Sequence, residues 1–137
     1  MEFRENGLSY EDYCRMRESV EWQNFSEEQT REALNHSCYS VTVVEEDKTV
    51  GMGRLIGDGL YYMIVDVVVH PTWQHRGIGS KIMDKLIEYV DRKTPQGGRS
   101  SIHLAAEKGK EAFYIQKGFK LIPHEFCGSG MRKVIRK

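Results

Sequence analysis

Residues 64–80 read "IVDVVVHPTWQHRGIGS", running from the most apolar stretch of the chain through His70-Pro71 to two glycines around one isoleucine. The first part is dense in β-branched residues, which predicts a strand in the middle of a sheet, buried on both faces. From Gly77 the period changes. Ile78, Ile82, Leu86 and Val90 fall four apart, and Met83 and Ile87 widen that stripe. Lys81, Lys85, Glu88 and Arg92 occupy the opposite side, so an amphipathic surface helix follows the strand. The first turn of such a helix leaves backbone N–H groups without intrahelical partners, and its dipole adds partial positive charge there. Gly77 and Gly79 carry no side chains to keep an anion away, and Arg76 brings a full charge. The stretch predicts an anion seat suited to phosphate or pyrophosphate.

Working outward, residues 2–6 predict a short strand. Ser9 is a candidate N-cap for a helix carrying Tyr13, Met16, Arg17 and Val20. Ser26 with Gln29 predicts a capping box for a second helix ending near Asn35. "CYSVTVVEE" and "TVGMGRLIGDG" flank the polar Glu46-Asp47-Lys48, the pattern of a β-hairpin. After the long helix, "TPQGG" is a stop, "SIHLAA" a strand, and "KEAFYIQK" a short helix closed by Gly118. "FKLIP" and "GMRKVIRK" are the last two predicted strands. The element order β-α-α-β-β-β-α-β-α-β-β is that of an α+β sandwich around one sheet, a single domain over residues 1–137.

Twenty basic and twenty acidic residues cancel, which argues against a large nucleic-acid footprint. Cys14, Cys38 and Cys127 are scattered and show no ligand spacing, so neither a disulfide framework nor a metal site is expected. The charged N-terminus lacks the apolar core of a secretory signal, and "MIVDVVV" is too short to span a bilayer. A cytoplasmic protein without membrane attachment is the expectation.

A nucleotide-hydrolase loop would need GxxxxGK[ST], and "GIGSK" lacks the earlier glycine. A dinucleotide fingerprint would need a third glycine where Ile82 stands. Val67-Val68-Val69-His70-Pro71 followed by Gln74-His75-Arg76-Gly77-Ile78-Gly79 instead resembles the acyl-CoA-binding motif of the GCN5-related N-acetyltransferases (GNAT). "AFYIQKGF" at 112–119 resembles that family's second landmark. The resemblance covers nearly the whole chain. It implies a mixed, mostly antiparallel sheet of six to seven strands with about four helices, and acetyl-CoA as co-substrate without a metal. It further implies that residues Gln74 to Ser80 hold the coenzyme's pyrophosphate. The strand bearing Val67, Val68 and Val69 would splay from "SIHLAA", leaving main-chain groups of Val67 and Val69 for the pantetheine amides. A homodimer is compatible with the fold.

Acetyl transfer needs a neutral amine, and with a pKa of ~10.4 only about one alkyl amine in a thousand is neutral at pH 7. It also needs donors for the charge developing on the carbonyl oxygen, such as the Val69 N–H, and a proton for the departing thiolate. Tyr114 matches the family tyrosine that supplies that proton and touches the coenzyme. Candidates for the base are Asp66, His70, His103 or a chain of waters; His70, before Pro71, also suits a turn-fixing hydrogen bond. One departure from the family pattern is Glu107, where many members carry asparagine against the coenzyme; Lys108 or Lys110 is then a candidate contact. Trp22 and Phe25 are candidates for an aromatic wall at the acceptor, with Glu18, Glu21 and Glu125 attracting a cation, Asp66 nearby, and a small amine or polyamine as acceptor. The resulting expectation is an N-acetyltransferase working by direct attack in a ternary complex. A non-catalytic acyl-CoA sensor and a protein lysine or N-terminal acetyltransferase are the alternatives.

Overall fold

Caps and turn residues delimit the elements of the chain, which the computed structural model describes over residues 1–137. After strand β1 (Glu2–Glu5), helix α1 (Tyr10–Ser19) starts where the Ser9 hydroxyl accepts the Asp12 N–H at 3.1 Å. Helix α2 (Glu27–Asn35) starts at Ser26, whose Oγ accepts the Gln29 N–H at 3.3 Å. The Gln29 side-chain Oε1 accepts from the Ser26 hydroxyl at 3.0 Å, so the expected box closes on the hydroxyl. Strands β2 (Tyr39–Glu45) and β3 (Lys48–Gly57) are joined by Glu46 and Asp47. Both residues lie at positive φ, 50° and 61°, the two-residue hairpin turn whose twist matches that of the strands. Strand β4 (Tyr61–Val69), a 3-10 turn (Pro71–Trp73), helix α3 (Ile78–Lys93), strand β5 (Ser101–His103) and helix α4 (Glu111–Ile115) complete the order.

The sheet runs β1-β2-β3-β4-β5. The first four strands are antiparallel, and β4–β5 is the one parallel pair. The mixed, mostly antiparallel α+β architecture with four helices is as expected, but the sheet has five strands, not six or seven. "FKLIP" and "GMRKVIRK" do not form strands; residues 119–137 contain only an isolated bridge between His124 and Cys127. Pro123 has no amide to donate to a ladder, and Gly128 and Gly130 have no side chains to pack, so this stretch lacks what makes a strand pay its entropy. The chain divides into two compact units, residues 1–104 and 105–137. None of the helices is long and apolar enough to cross a membrane.

In the first unit α3 covers one face of the sheet, burying Ile78, Ile82, Met83, Leu86 and Val90 as the four-residue spacing requires. It lies so close to β3 that a Cβ on Gly53 would stand 2.6 Å from Ile82 Cγ2 and 3.1 Å from Leu86 Cδ1. On the other face Tyr13 and Met16 of α1 pack with Met52 and Val68. The expected burial of β4 on both faces does not hold along its length: Tyr62, Ile64 and Val68 are buried, Val65, Val67 and Val69 are half-buried, and Tyr61 and Met63 are exposed.

Between β3 and β4 the register shifts. Met52 faces Val68 and Arg54 faces Val65, so Asp66 and Val67 together oppose Gly53. This is a β-bulge, and Asp66 sits in it with φ +55°. Facing residues of an antiparallel pair share a side of the sheet. Tyr62 and Ile64 therefore lie on the α3 side, whereas Asp66 and Val68 lie on the α1 side; unbroken alternation would have kept all four together.

Gly53→Ala should destabilise the fold by about 1–3 kcal/mol through overpacking, read as a lower urea midpoint at an unchanged slope. An unaltered midpoint would mean that α3 can withdraw from β3 without cost.

Candidate functional site

The bulge turns a carboxylate into the layer beneath α1. Asp66 Oδ1 accepts from Arg17 Nη1 at 2.5 Å; its Oδ2 accepts from the Tyr13 hydroxyl at 2.8 Å and from Arg54 Nε at 3.1 Å. Tyr13 and Arg17 come from α1 one turn apart, and Arg54 from β3 directly across the bulge. Arg54 is itself held at Nη1 by the Ser37 hydroxyl at 2.8 Å. Both oxygens of Asp66 are thus committed to donors, two of them cationic. The donors were not named from sequence as its partners. An aspartate inside an apolar strand and an arginine in the apolar stripe of α1 were the available signals, but no local spacing joins residues 49 apart.

Beyond the bulge β4 continues alone on its β5 side. The parallel ladder covers only Tyr61↔Ser101, Tyr62↔Ile102 and Met63↔His103. On the other side the His70 N–H bonds to the Val50 carbonyl at 2.9 Å. Antiparallel alternation therefore turns the main chain of Val68 toward β3 and that of Val67 and Val69 toward the unpartnered edge. Val68 is the member of the expected trio that the sheet itself engages. The Val69 carbonyl accepts from Gln74 Nε2 at 3.0 Å.

The chain then folds sharply. His70 Nδ1 accepts the Thr72 N–H at 3.2 Å, fixing the 3-10 turn, and Arg76 stacks on Trp73, its guanidinium carbon 4.6 Å from the ring centroid. His75 and Gly77 have φ of +65° and +80°. Gly77 caps α3 without any side-chain acceptor, and the first intrahelical bond in this turn is Lys81 N–H to the Gly77 carbonyl at 3.2 Å. The amides of Ile78 and Gly79 precede that bond, and the Ile78 side chain is in the core, so that residue can offer only its main chain. A Cβ built on Gly77 would meet no atom within 4 Å. Open space above donor amides, with Arg76 adjacent, fits a diphosphate.

Trp22 and Phe25 are in the α1–α2 loop, around a cation from their own chain. The Arg17 guanidinium carbon lies 5.3 Å from the Trp22 ring, 5.1 Å from Phe25 and 5.7 Å from Tyr13. Glu18, expected to attract a cation, accepts from Asn24 Nδ2 at 3.0 Å. His103 is exposed and its ring lies near that of Tyr61.

In the second unit Tyr114 is on α4, edge-on to Phe113 and to Phe119, with centroids 5.0 and 6.3 Å apart. Burial, and then the Glu107 carboxylate, push its phenol above the usual range, so it stays protonated at neutral pH. The "KGK" turn is fastened by Glu111, whose carboxylate oxygens accept the Gly109 N–H at 3.0 and 3.2 Å.

Comparison with known proteins bears on this arrangement. The profile of the acetyltransferase (GNAT) domain family matches residues 5–135. Serotonin N-acetyltransferase 2, chloroplastic, of Oryza sativa subsp. japonica is 35% identical over 109 residues, covering 74% of this chain and 52% of that protein. GCN5-related N-acetyltransferase 1, chloroplastic, of Arabidopsis thaliana is 39% identical over 100 residues, covering 70% and 48%. The chain thus spans about half the length of these relatives. Among solved structures, a GNAT-family acetyltransferase from Streptococcus pneumoniae TIGR4 superposes with a TM-score of 0.80 at 27% identity, over 99% of this chain and 98% of that one.

Burial, and then the Asp66 charge and hydrogen bond, push the Tyr13 phenol from 10.0 up to about 12. A folded pKa above the unfolded one means that the neutral phenol stabilises the fold below pH ~10 and that this contribution is lost as pH rises through ~12. Urea unfolding of wild type should therefore weaken between pH 10 and 12 more steeply than that of Tyr13→Phe. Parallel curves would show that Tyr13 is not linked to folding.

Proposed function

The chain belongs to the GNAT acetyltransferase family, and on that premise we propose that it transfers an acetyl group from acetyl-CoA to the primary amine of a small molecule, by direct attack in a ternary complex. The observation that carries the reading is the continuity of one stretch, from the outward main chain of Val67 and the Val69 N–H, beside which β5 has ended, to the open amides at Gly77.

Acetyl-CoA supplies an acetyl group activated as a thioester. The amides from Gly77 to Gly79, with Arg76 released from Trp73, hold the diphosphate by charge and hydrogen bonding. Gln74, His75 and Ser80 frame that seat. The outward groups of Val67 pair with the amides of the pantetheine arm, and the Val69 N–H donates to the carbonyl oxygen as it gains charge, the Val69 carbonyl being held by Gln74. Tyr114, the tyrosine of the second motif, is kept un-ionised by its raised pKa, donates a hydrogen bond to the sulfur as it departs, and replaces any proton it passes on from water. Asp66, held by its three donors, takes no part in the proton transfers of this scheme, and the amine loses its proton to water.

The acceptor reading moves away from polyamines. The faces of Trp22 and Phe25 nearest Arg17 already stack on a guanidinium, so a second cation there would meet repulsion. Phe25 nevertheless leaves 60% of its surface exposed, which suits an amine bearing a planar apolar group, in keeping with a relative named for serotonin. The α1–α2 loop that carries Phe25 is accordingly the border of the acceptor site.

The test is thiol release from acetyl-CoA across arylalkylamines, polyamines, peptides and proteins. Arylalkylamines should give the highest kcat/KM. Tyr114→Phe should lower kcat on the order of 10²-fold with acetyl-CoA affinity nearly unchanged; equal turnover would remove Tyr114 from the chemistry. Binding without release for every acceptor would favour the sensor, and release with proteins alone the protein acetyltransferase. In calorimetry Gly77→Val should show no heat with CoA while retaining its circular dichroism spectrum, since a branched side chain would fill the seat. Undiminished heat would place the diphosphate elsewhere.

A further inference from the structure

Arg17 lies in the last turn of α1 and is only 9% exposed, yet its guanidinium is the common partner of two segments that otherwise belong to different elements. Toward β4 its Nη1 donates to Asp66. Toward the α1–α2 loop its Nη2 donates to the Gln23 carbonyl at 2.7 Å and its Nε to Asn24 Oδ1 at 3.2 Å. Trp22 and Phe25 stack on the same group. The loop has no helix or strand between Ser19 and Glu27, and Glu21 within it has φ +64°. A planar fork with its donors fixed in one plane can meet a carboxylate, a carbonyl and an amide oxygen at once; a point charge on a flexible stem cannot.

We propose that Arg17 is a positioning residue for acyl transfer, pinning the acceptor-side loop to the β4 bulge so that Phe25 and the outward main chain of Val67 and Val69 keep one fixed relation. The inference rests on the assignment of those groups to the acceptor and the thioester. Arg17 touches neither substrate; it acts through Asp66 on one side and through Gln23 and Asn24 on the other. Its aromatic neighbours exclude water from the pin, which strengthens the charge-assisted bonds that hold it. A lysine in its place keeps a charge for Asp66 and loses the simultaneous hold on the loop. An alanine releases both.

The test compares wild type, Arg17→Lys and Arg17→Ala, the last with and without methylguanidinium, by steady-state kinetics, urea unfolding and backbone amide NMR. Arg17→Lys should raise the acceptor KM and shift the amide resonances of Gln23 to Phe25, while the acetyl-CoA KM and the Val67 and Val69 resonances stay in place. Arg17→Ala should shift both sets and lower kcat on the order of 10²-fold, as misplacement of a reacting group does, and methylguanidinium should restore part of it. A lysine variant with the wild-type acceptor KM would overturn the proposal, as would an alanine variant that loses stability but keeps its kinetic constants. If Arg17→Ala does not fold, the lysine variant decides alone. If wild type acetylates nothing, the functional reading fails, while the resonances still judge the pin: shifts in both segments of the alanine variant uphold it and shifts confined to α1 refute it.

Discussion

One carboxylate, held in a left-handed backbone conformation inside an otherwise apolar strand, organises the first unit. Asp66 receives two guanidiniums and a phenol, and each donor belongs to an element that must be in place for the bond to form. An unpaired charge at this depth would cost several kcal/mol, and loss of one partner from a buried ion pair typically costs about 3–5 kcal/mol. The arrangement therefore ties α1, β3 and β4 together, and through the Arg54 bonds to the Ala33 carbonyl and Ser37 it reaches the end of α2. Two cations against one anion leave a positive charge beneath α1, spread over aromatic faces that stabilise it without neutralising it.

That constraint has a mechanical result. The bulge at Asp66 inserts one residue into β4 and reverses which side chains meet α3. It leaves the residues after it, Val67 to Val69, leading toward the turn at His70 just where β5 no longer accompanies the strand. A strand edge with unpaired groups is costly unless something occupies it. Next along the chain, three devices shape the start of α3: the histidine-fixed turn, the positive φ of His75 and Gly77, and the absence of a side-chain cap. Strand edge and helix end are consecutive in the chain, so outward strand groups and the first amides of α3 follow one another in order.

The loop after α1 follows a different logic. It has no ladder or helix of its own, and its shape is centred on Arg17. Aromatic residues that would otherwise be free to enclose a cationic ligand are engaged by a cation of the protein, while the outward surface of Phe25 stays available. Charge composition alone would have suggested attraction of a polycation by nearby acids. The geometry assigns one of those acids, Glu18, to Asn24.

Periodicity, caps and turn chemistry were enough to place both N-capping serines, the hairpin, β4, and the glycine turn from which the helix starts at Ile78, because each depends on residues within a turn or two of one another. The two terminal strands were misread for the converse reason: a strand is a relation to a neighbour, and alternation in "MRKVIRK" carries no information about whether an edge receives it. Strand alternation put Asp66 on the face of Val68 and opposite Val67, as found, but did not give its partners, since Arg17 and Tyr13 reach it from 49 and 53 residues away. The sequence by itself determined the local geometry that can hold an anion. Only the tertiary structure decided that Asp66 receives Arg17, Arg54 and Tyr13, and that Trp22 and Phe25 surround an arginine, because both outcomes depend on which side chains satisfy a buried charge.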